Sequence, residues 1–181
     1  MNFSFRILLT LNATSLLVII FLVQKGYTLG HFFPQHPQLI VLPNAISYIA
    51  YLLVPILLTG LSILFSSKLS KDSFKKSSVV SIEHANNSFL PSYLGYFFVA
   101  VSINNTETLF VVYGVLFVFT FLSQALYFNP LFLIFGFEFY NITTKNGAAI
   151  FLITRKAYKT PDEVEMDIAF RINNYTYIEK G

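Results

Sequence analysis

The chain has 181 residues, of which 55% are hydrophobic and 12% charged, and its formal net charge is +3. A soluble domain carries about 25% charged residues, so this composition excludes a soluble cytosolic enzyme. The absence of cysteine excludes a disulfide-stapled secreted module, thiol catalysis and cysteine zinc sites. The composition therefore predicts an integral membrane protein that is mostly α-helical.

Two uncharged apolar segments, residues 7–23 and 45–65, have the length of a bilayer-crossing helix, which needs about 19 residues. The first is flanked by Arg6 and Lys25, as a signal peptide could be. However, no small-residue cleavage site follows it, so we interpret it as a retained helix.

Two further segments, residues 88–103 and 109–128, are separated by the polar sequence Asn104–Thr108. We expect them to form an antiparallel hairpin of two spans. The first contains Pro91 and Gly95 and is short for a span, so a re-entrant pair is the alternative. With this pair, residues 1–128 are predicted to form a four-helix transmembrane domain.

The basic residues indicate the orientation of the chain. With the N-terminus inside, eleven of the twelve lysines and arginines lie on the cytoplasmic side, which satisfies the positive-inside rule. Both termini are then cytoplasmic. The loop 66–87 carries four of these residues, which we interpret as topology anchors that also attract anionic lipid rather than as a nucleic-acid patch. They are Lys68, Lys71, Lys75 and Lys76.

Residues 129–181 are predicted to form a small cytoplasmic α+β module with the order β-β-α-β. A strand over 131–142 precedes Asn146-Gly147, the signature of a type I′ hairpin turn, and a second strand follows over 148–154. Thr160, Pro161 and Glu163 fit a capping box that opens a helix running to about residue 171. Residues 174–178 are the last predicted strand. Because the module is small, we expect it to lean on the membrane domain, a neighbouring subunit or a partner.

The sequence predicts no catalytic, cofactor or metal site. With a third ligand, His31 and His36 could hold a metal, but interfacial histidines are the favoured interpretation. His84 and Glu83, before the third span, could serve a proton path, although the headgroup region suits them better. Because the predicted spans hold no charged residue, a coupled transporter is disfavoured.

Polar side chains inside the spans are predicted to make contacts between helices of a homo-oligomer, and a pore lined by them is the alternative. They are Asn12, Ser15, Ser123 and Gln124.

The module also offers a predicted docking surface for a cytoplasmic partner or a neighbouring protomer. It comprises the hairpin at Asn146 and Gly147 and an exposed closing strand with Tyr175 and Tyr177 as anchors, because large aromatic residues dominate many interfaces. Alternatively, the two tyrosines fill the core of the module.

The four-span layout, together with Gly136–Tyr140 and the closing Arg171–Ile178, resembles the KwaA family, the membrane component of the two-gene Kiwa anti-phage system. The resemblance implies a non-enzymatic, oligomeric inner-membrane sensor of infection. It also implies a cytoplasmic DNA-binding effector, KwaB, which would block phage DNA replication or late transcription. This chain itself is not expected to bind nucleic acid. A channel or passive pore subunit is the main alternative, and a membrane anchor for an enzyme complex is another.

Overall fold

The computed structural model describes residues 3–88, 90–123 and 129–180. For Ser92 it describes the backbone but not the side chain. These residues form a layer of helices and one six-stranded sheet. The helices are α1 Phe3–Gln24, α2 Leu29–Phe32, α3 Pro37–Ile40, α4 Asn44–Ser66, α5 Leu90–Ser102, α6 Thr106–Ser123 and α7 Leu131–Ile134. The strands are β1 Lys71–Phe74, β2 Val79–His84, β3 Glu138–Thr144, β4 Ala149–Thr154, β5 Met166–Arg171 and β6 Thr176–Ile178.

Three helices, α1, α4 and α6, are long and apolar enough to cross a membrane. They coincide with the predicted segments 7–23, 45–65 and most of 109–128. Helix α5, within the predicted segment 88–103, has 13 residues. At 1.5 Å per residue it is about 20 Å long, which is shorter than the hydrocarbon core of about 30 Å.

Helix α1 is the centre of the helical layer, because it contacts α4, α5 and α6. Leu17 and Phe21 of α1 are fully buried and pack with Ala100 of α5 and Leu109 of α6. Burial of these side chains on several sides explains why α1 has no single polar face.

The sheet has the strand order β1-β5-β6-β4-β3-β2, and every pair is antiparallel except β4 with β6. Its two edge strands, β1 and β2, come from the loop 66–87, where no strand was predicted. The predicted strand over 131–142 is correct only in its second half, because Leu131–Ile134 form α7 and the strand begins at Glu138. The closing strand is β6, which lies inside the sheet, so the expectation of an exposed edge there is wrong.

The predicted helix from Thr160 to residue 171 is also wrong. The capping interaction forms, since the Glu163 carboxylate accepts hydrogen bonds from the backbone N–H groups of Lys159 and Thr160, but only a 3₁₀ turn over Pro161–Glu163 follows. The next residues form β5, which pairs with both β1 and β6. Two ladders of backbone hydrogen bonds outweigh a local helix-start signal, because tertiary pairing commonly overrides propensity. The predicted β-β-α-β order is therefore replaced by α7 followed by β3, β4, β5 and β6, with the 3₁₀ turn between β4 and β5.

The sheet is strongly curled. Residues Phe74 and Val79 end β1 and begin β2, which lie at opposite edges of the six strands. A flat sheet would separate these edges by about 24 Å at 4.8 Å per strand. The five residue steps between them span at most about 18 Å. Curling encloses one face as a core with Phe74, Val79, Tyr140, Leu152 and Met166.

The opposite face of the sheet packs on the helical layer. Phe139, Ile153 and Ile178 of the sheet, with Phe132 of α7, form one buried cluster with Phe5, Leu9 and Ile63 of the helices α1 and α4. The sequence predicted that this module leans on the membrane domain, a neighbouring subunit or a partner. In the structure it leans on helices α1 and α4 of the same chain.

Candidate docking surface

The β3–β4 hairpin lies between two grooves. Its turn is a type I turn followed by a bulge, because the Gly147 N–H donates to Thr144 O (2.9 Å) and the Thr144 N–H to Ala148 O (3.0 Å). Gly147 has φ +77°, whereas Asn146 does not have a positive φ. The predicted hairpin is therefore confirmed, and the predicted type I′ turn is wrong.

The first groove, of about 690 Å³, separates the hairpin from the end of α6. Asn141, Phe151 and Thr176 line it in register across β3, β4 and β6, and Ser123 lines it from the helical side. Phe151 stacks on Phe139, with ring centroids 5.6 Å apart. The groove thus continues directly from the face of the sheet that packs on the helices.

Tyr175 stands at the rim of this first groove with its side chain exposed (67%). Its backbone is fixed on both sides, since its N–H donates to the Asn173 side chain (2.8 Å) and its carbonyl accepts from the Phe151 N–H (2.6 Å). An exposed aromatic ring on a fixed backbone loses little freedom on binding, which suits an interface anchor.

Tyr177 is placed differently, because it is only 6% exposed and lies in the core enclosed by the sheet. Its ring meets Phe74 edge to face, and burial raises the pKa of its phenol. This placement matches the alternative interpretation, in which the tyrosine fills the core of the module. Of the two proposed anchors, Tyr175 alone presents a large surface.

The second groove, of about 520 Å³, lies between the β1–β2 turn and the β3–β4 turn. Lys75 and Lys145 both line it, with Asn146. Of the other lysines in the loop 66–87, Lys68 lies over the Phe65 ring, Lys71 is the first residue of β1, and Lys76 follows Lys75 in the turn.

Three of the polar residues predicted to contact helices of a homo-oligomer form hydrogen bonds within their own chain. Asn12 is fully buried and donates to the Ser62 hydroxyl of α4 (2.9 Å). Ser15 and Ser123 each donate to a carbonyl of their own helix. Gln124 lies outside the described residues.

Two further contacts between separate segments were not predicted from the sequence. The Tyr113 hydroxyl donates to the Thr14 hydroxyl, whose own proton goes to the Thr10 carbonyl, and the Asn129 amide donates to Thr59. The side-chain oxygen of Asn129 (Oδ1) also accepts a hydrogen bond from the Leu131 N–H. Asn129 therefore starts α7 and at the same time fixes α7 to α4. The sequence signal for Asn129 was its place before Pro130, which indicated only a helix end.

His31 and His84 contact different neighbours. His31 stacks on Tyr27, with ring centroids 4.4 Å apart, whereas His84 lies 3.8 Å from the Glu138 carboxylate rather than pairing with Glu83. In the described residues, no group of three or more possible metal ligands is present.

Glu179 was also missed by the sequence reasoning. Its side chain is only 5% exposed and accepts hydrogen bonds from Thr154 (2.7 Å), Tyr158 (3.0 Å) and Lys156 (2.6 Å). One carboxylate therefore fixes the residues after β6 to the segment that follows β4. A single acidic residue near the end of a sequence gives no signal of such a role.

The comparisons with known proteins agree with the family suggested by the sequence. No curated protein and no solved structure matches the chain. The family model described as anti-phage protein KwaA matches residues 5–178, which include the helical layer and all six strands. The chain therefore belongs to the KwaA family of anti-phage proteins.

Proposed function

We propose that this chain is the multi-pass inner-membrane component of its anti-phage system, where it senses infection at the membrane and recruits a soluble cytoplasmic effector without catalysing a reaction itself. The observation that carries the proposal is Tyr175, an exposed aromatic side chain on a fixed backbone beside a groove of about 690 Å³. The effector, which would resemble KwaB, binds at this groove and at the hairpin around Asn146 and Gly147. The bilayer and further copies of the chain complete the assembly.

The fold supports one orientation of the chain. Helices α1, α4 and α6 each have one end beside the sheet, as the contacts of Phe5, Ile63 and Ser123 indicate. Eleven of the twelve lysines and arginines belong to this same end. The positive-inside rule then makes the sheet and both termini cytoplasmic, with residues 25–43 outside. In this arrangement α5 is a fourth, short span.

The route from the membrane to the effector is the packing between the two layers. Phe139 belongs to the cluster that joins the sheet to α1 and α4, and it stacks on Phe151 in the wall of the first groove. A shift of α1 against α4 would therefore reach the groove through two aromatic rings. Packed interfaces change between discrete arrangements, so a small shift can alter effector binding.

The proposal is tested by Tyr175→Ala in the full-length protein, produced with the partner encoded beside it. We expect the variant to reach the membrane in normal amount but to capture at least about tenfold less partner, because interface anchors often contribute 2 kcal/mol or more. Protection of cells from phage is expected to fall in parallel.

Ile168→Ala is the matched control, because Ile168 is also exposed on the sheet but lies on β5, away from the groove. It should leave partner capture and protection unchanged. Full partner capture by Tyr175→Ala would overturn the proposed docking surface.

The alternative function, a channel or passive pore subunit, has less support. The Asn12 side-chain N–H and the Thr14 hydroxyl bond to α4 and α6 of the same chain, and both residues are buried within it. Conductance measured with the purified protein in planar bilayers distinguishes the two functions, because a scaffold gives no single-channel currents.

A further inference from the structure

The second groove differs from the first in the chemistry of its walls. Its polar lining comes from two turns and the strand ends beside them, and has two ammonium groups, three hydroxyl groups and one amide group. These residues are Ser73, Lys75, Ser78, Thr144, Lys145 and Asn146. None of the described residues that line it is acidic.

The nearest acidic residue on β1 is already neutralised. The Asp72 carboxylate accepts two hydrogen bonds from the Arg171 guanidinium, at 2.6 Å and 2.8 Å. The charges of Lys75 and Lys145 therefore lack an internal counterion among the residues that line the groove. Such a site attracts an anion, and the attraction weakens with salt.

Ser78 supplies an independent observation. Its hydroxyl oxygen is buried, and among the described residues it has no hydrogen-bond partner. The backbone of the same residue is fully engaged, since its N–H donates to Lys75 O and its carbonyl accepts from the Lys145 N–H, both at 3.0 Å. A buried polar group without a partner is rare and calls for an explanation, such as a ligand.

The two turns hold this arrangement in place. The bond from the Lys145 N–H to Ser78 O joins them directly, and Ser77 has φ +60°, which is uncommon for a residue other than glycine. Backbone in such conformations recurs at ligand clamps, where the surrounding structure holds it. The groove is therefore preorganised rather than formed by two free lysine side chains.

We infer that the second groove binds a phosphate ester, with Lys75 and Lys145 neutralising its charge and the Ser78 side chain turning toward the groove so that its hydroxyl donates to a phosphate oxygen. This site does not depend on the proposed effector-docking function. The same hairpin faces Ser123 at the end of α6 on its other side. An anionic phospholipid headgroup and a soluble phosphate ester are the two sources of this chemistry.

Native mass spectrometry of the full chain in detergent tests the inference. The probes are dioleoylphosphatidylglycerol, dioleoylphosphatidylcholine and glycerol 3-phosphate. Wild type should retain phosphatidylglycerol over phosphatidylcholine. Lys75→Gln combined with Lys145→Gln should weaken retention about 25-fold, since a lysine near anionic lipid contributes about fivefold. Ser78→Ala alone should weaken it severalfold.

The matched control is Arg155→Gln combined with Lys159→Gln, which removes two exposed positive charges from the same layer outside the groove. Binding of glycerol 3-phosphate that is lost in the groove variant would identify a soluble ester as the source. Binding of the lipid alone would identify the headgroup. An equal loss of ligand binding in the groove variant and the control would overturn the inference. Binding that stays at the wild-type level in both Ser78→Ala and the groove variant would also overturn it.

Discussion

At the scale of single residues, the Glu179 carboxylate and the Tyr158 hydroxyl make the sheet sensitive to alkaline pH. Burial, followed by the negative charge of Glu179, raises the pKa of Tyr158 above its ordinary value near 10. Burial raises the pKa of Tyr140 and Tyr177 in the same direction. The folded state therefore holds these phenols in the neutral form at pH values where the unfolded chain loses their protons.

The sign of the pH dependence follows from these directions. A folded-state pKa above the unfolded value gives stability that is complete below pH 10 and is lost as pH rises further, by at most about 1.4 kcal/mol per pH unit for each group. We expect the melting temperature of the wild type to fall between pH 8 and pH 11. Tyr158→Phe should melt lower at pH 8, because Glu179 loses a donor, and should show a shallower fall.

Tyr175→Phe is the control for this experiment, since it alters an exposed phenol. It should reproduce the slope of the wild type. A slope in Tyr158→Phe as steep as that of the wild type would contradict the role given to the Glu179 contact.

At the scale of elements, the conformation of the β3–β4 hairpin depends on Gly147. Its φ of +77° is a conformation that costs residues other than glycine about 1–2 kcal/mol. We therefore expect Gly147→Ala to lower the free energy of unfolding by about 1 kcal/mol. Gly147→Asn should lower it less, because asparagine tolerates the left-handed region.

Circular dichroism of thermal unfolding measures this effect. Gly114→Ala is the control, since Gly114 lies within α6, has no positive φ, and a Cβ there would meet nothing within 4 Å. If both substitutions have the same effect, the hairpin does not depend on the glycine conformation.

The secondary-structure elements differ in how well the sequence predicts them. The hairpin was predictable because Asn146-Gly147 acts locally. Strand β5 carried only a weak alternation of Met166, Ile168 and Phe170, and the folded strand does not follow it, because Ile168 is exposed whereas Met166 and Ala169 lie in the enclosed core. The Thr160 capping box competed with that pattern, and the choice depended on pairing with residues far away in the chain.

The candidate site was predictable only in part for the same reason. Tyr175 and the hairpin were named from local features, namely an aromatic residue and a turn. The proximity of Lys75 and Lys145 depends on β2 pairing with β3, across the whole of α5 and α6. No local pattern indicates that pairing, and the partnerless Ser78 hydroxyl is a property of packing alone.

At the scale of the whole molecule, the helices differ in length. Helix α4 has 23 residues and α5 has 13. If both cross the bilayer, the hydrocarbon must thin beside α5, because each ångström of mismatch costs a fraction of a kcal/mol. We expect the protein in phosphatidylcholine bilayers to be most stable with short acyl chains and to melt lower as the chains lengthen.

Insertion of four leucines after Phe98, about one helical turn, provides the control for this prediction. The inserted variant should be most stable in a thicker bilayer than the wild type. The same optimum for both proteins would indicate that α5 does not cross the hydrocarbon core.

The pairing of β1 with β5 also has a consequence for biosynthesis. Strand β1 ends at Phe74, and its partner begins at Met166. At a translation rate of about 5–20 residues per second, β1 leaves the ribosome on the order of 5–20 s before β5 exists. During that interval α5 and α6 are synthesised while two strands, β1 and β2, wait with unpaired edges. The nascent chain is therefore exposed to aggregation and proteolysis until its last strands emerge, and its yield should depend on how quickly translation passes residues 75–165.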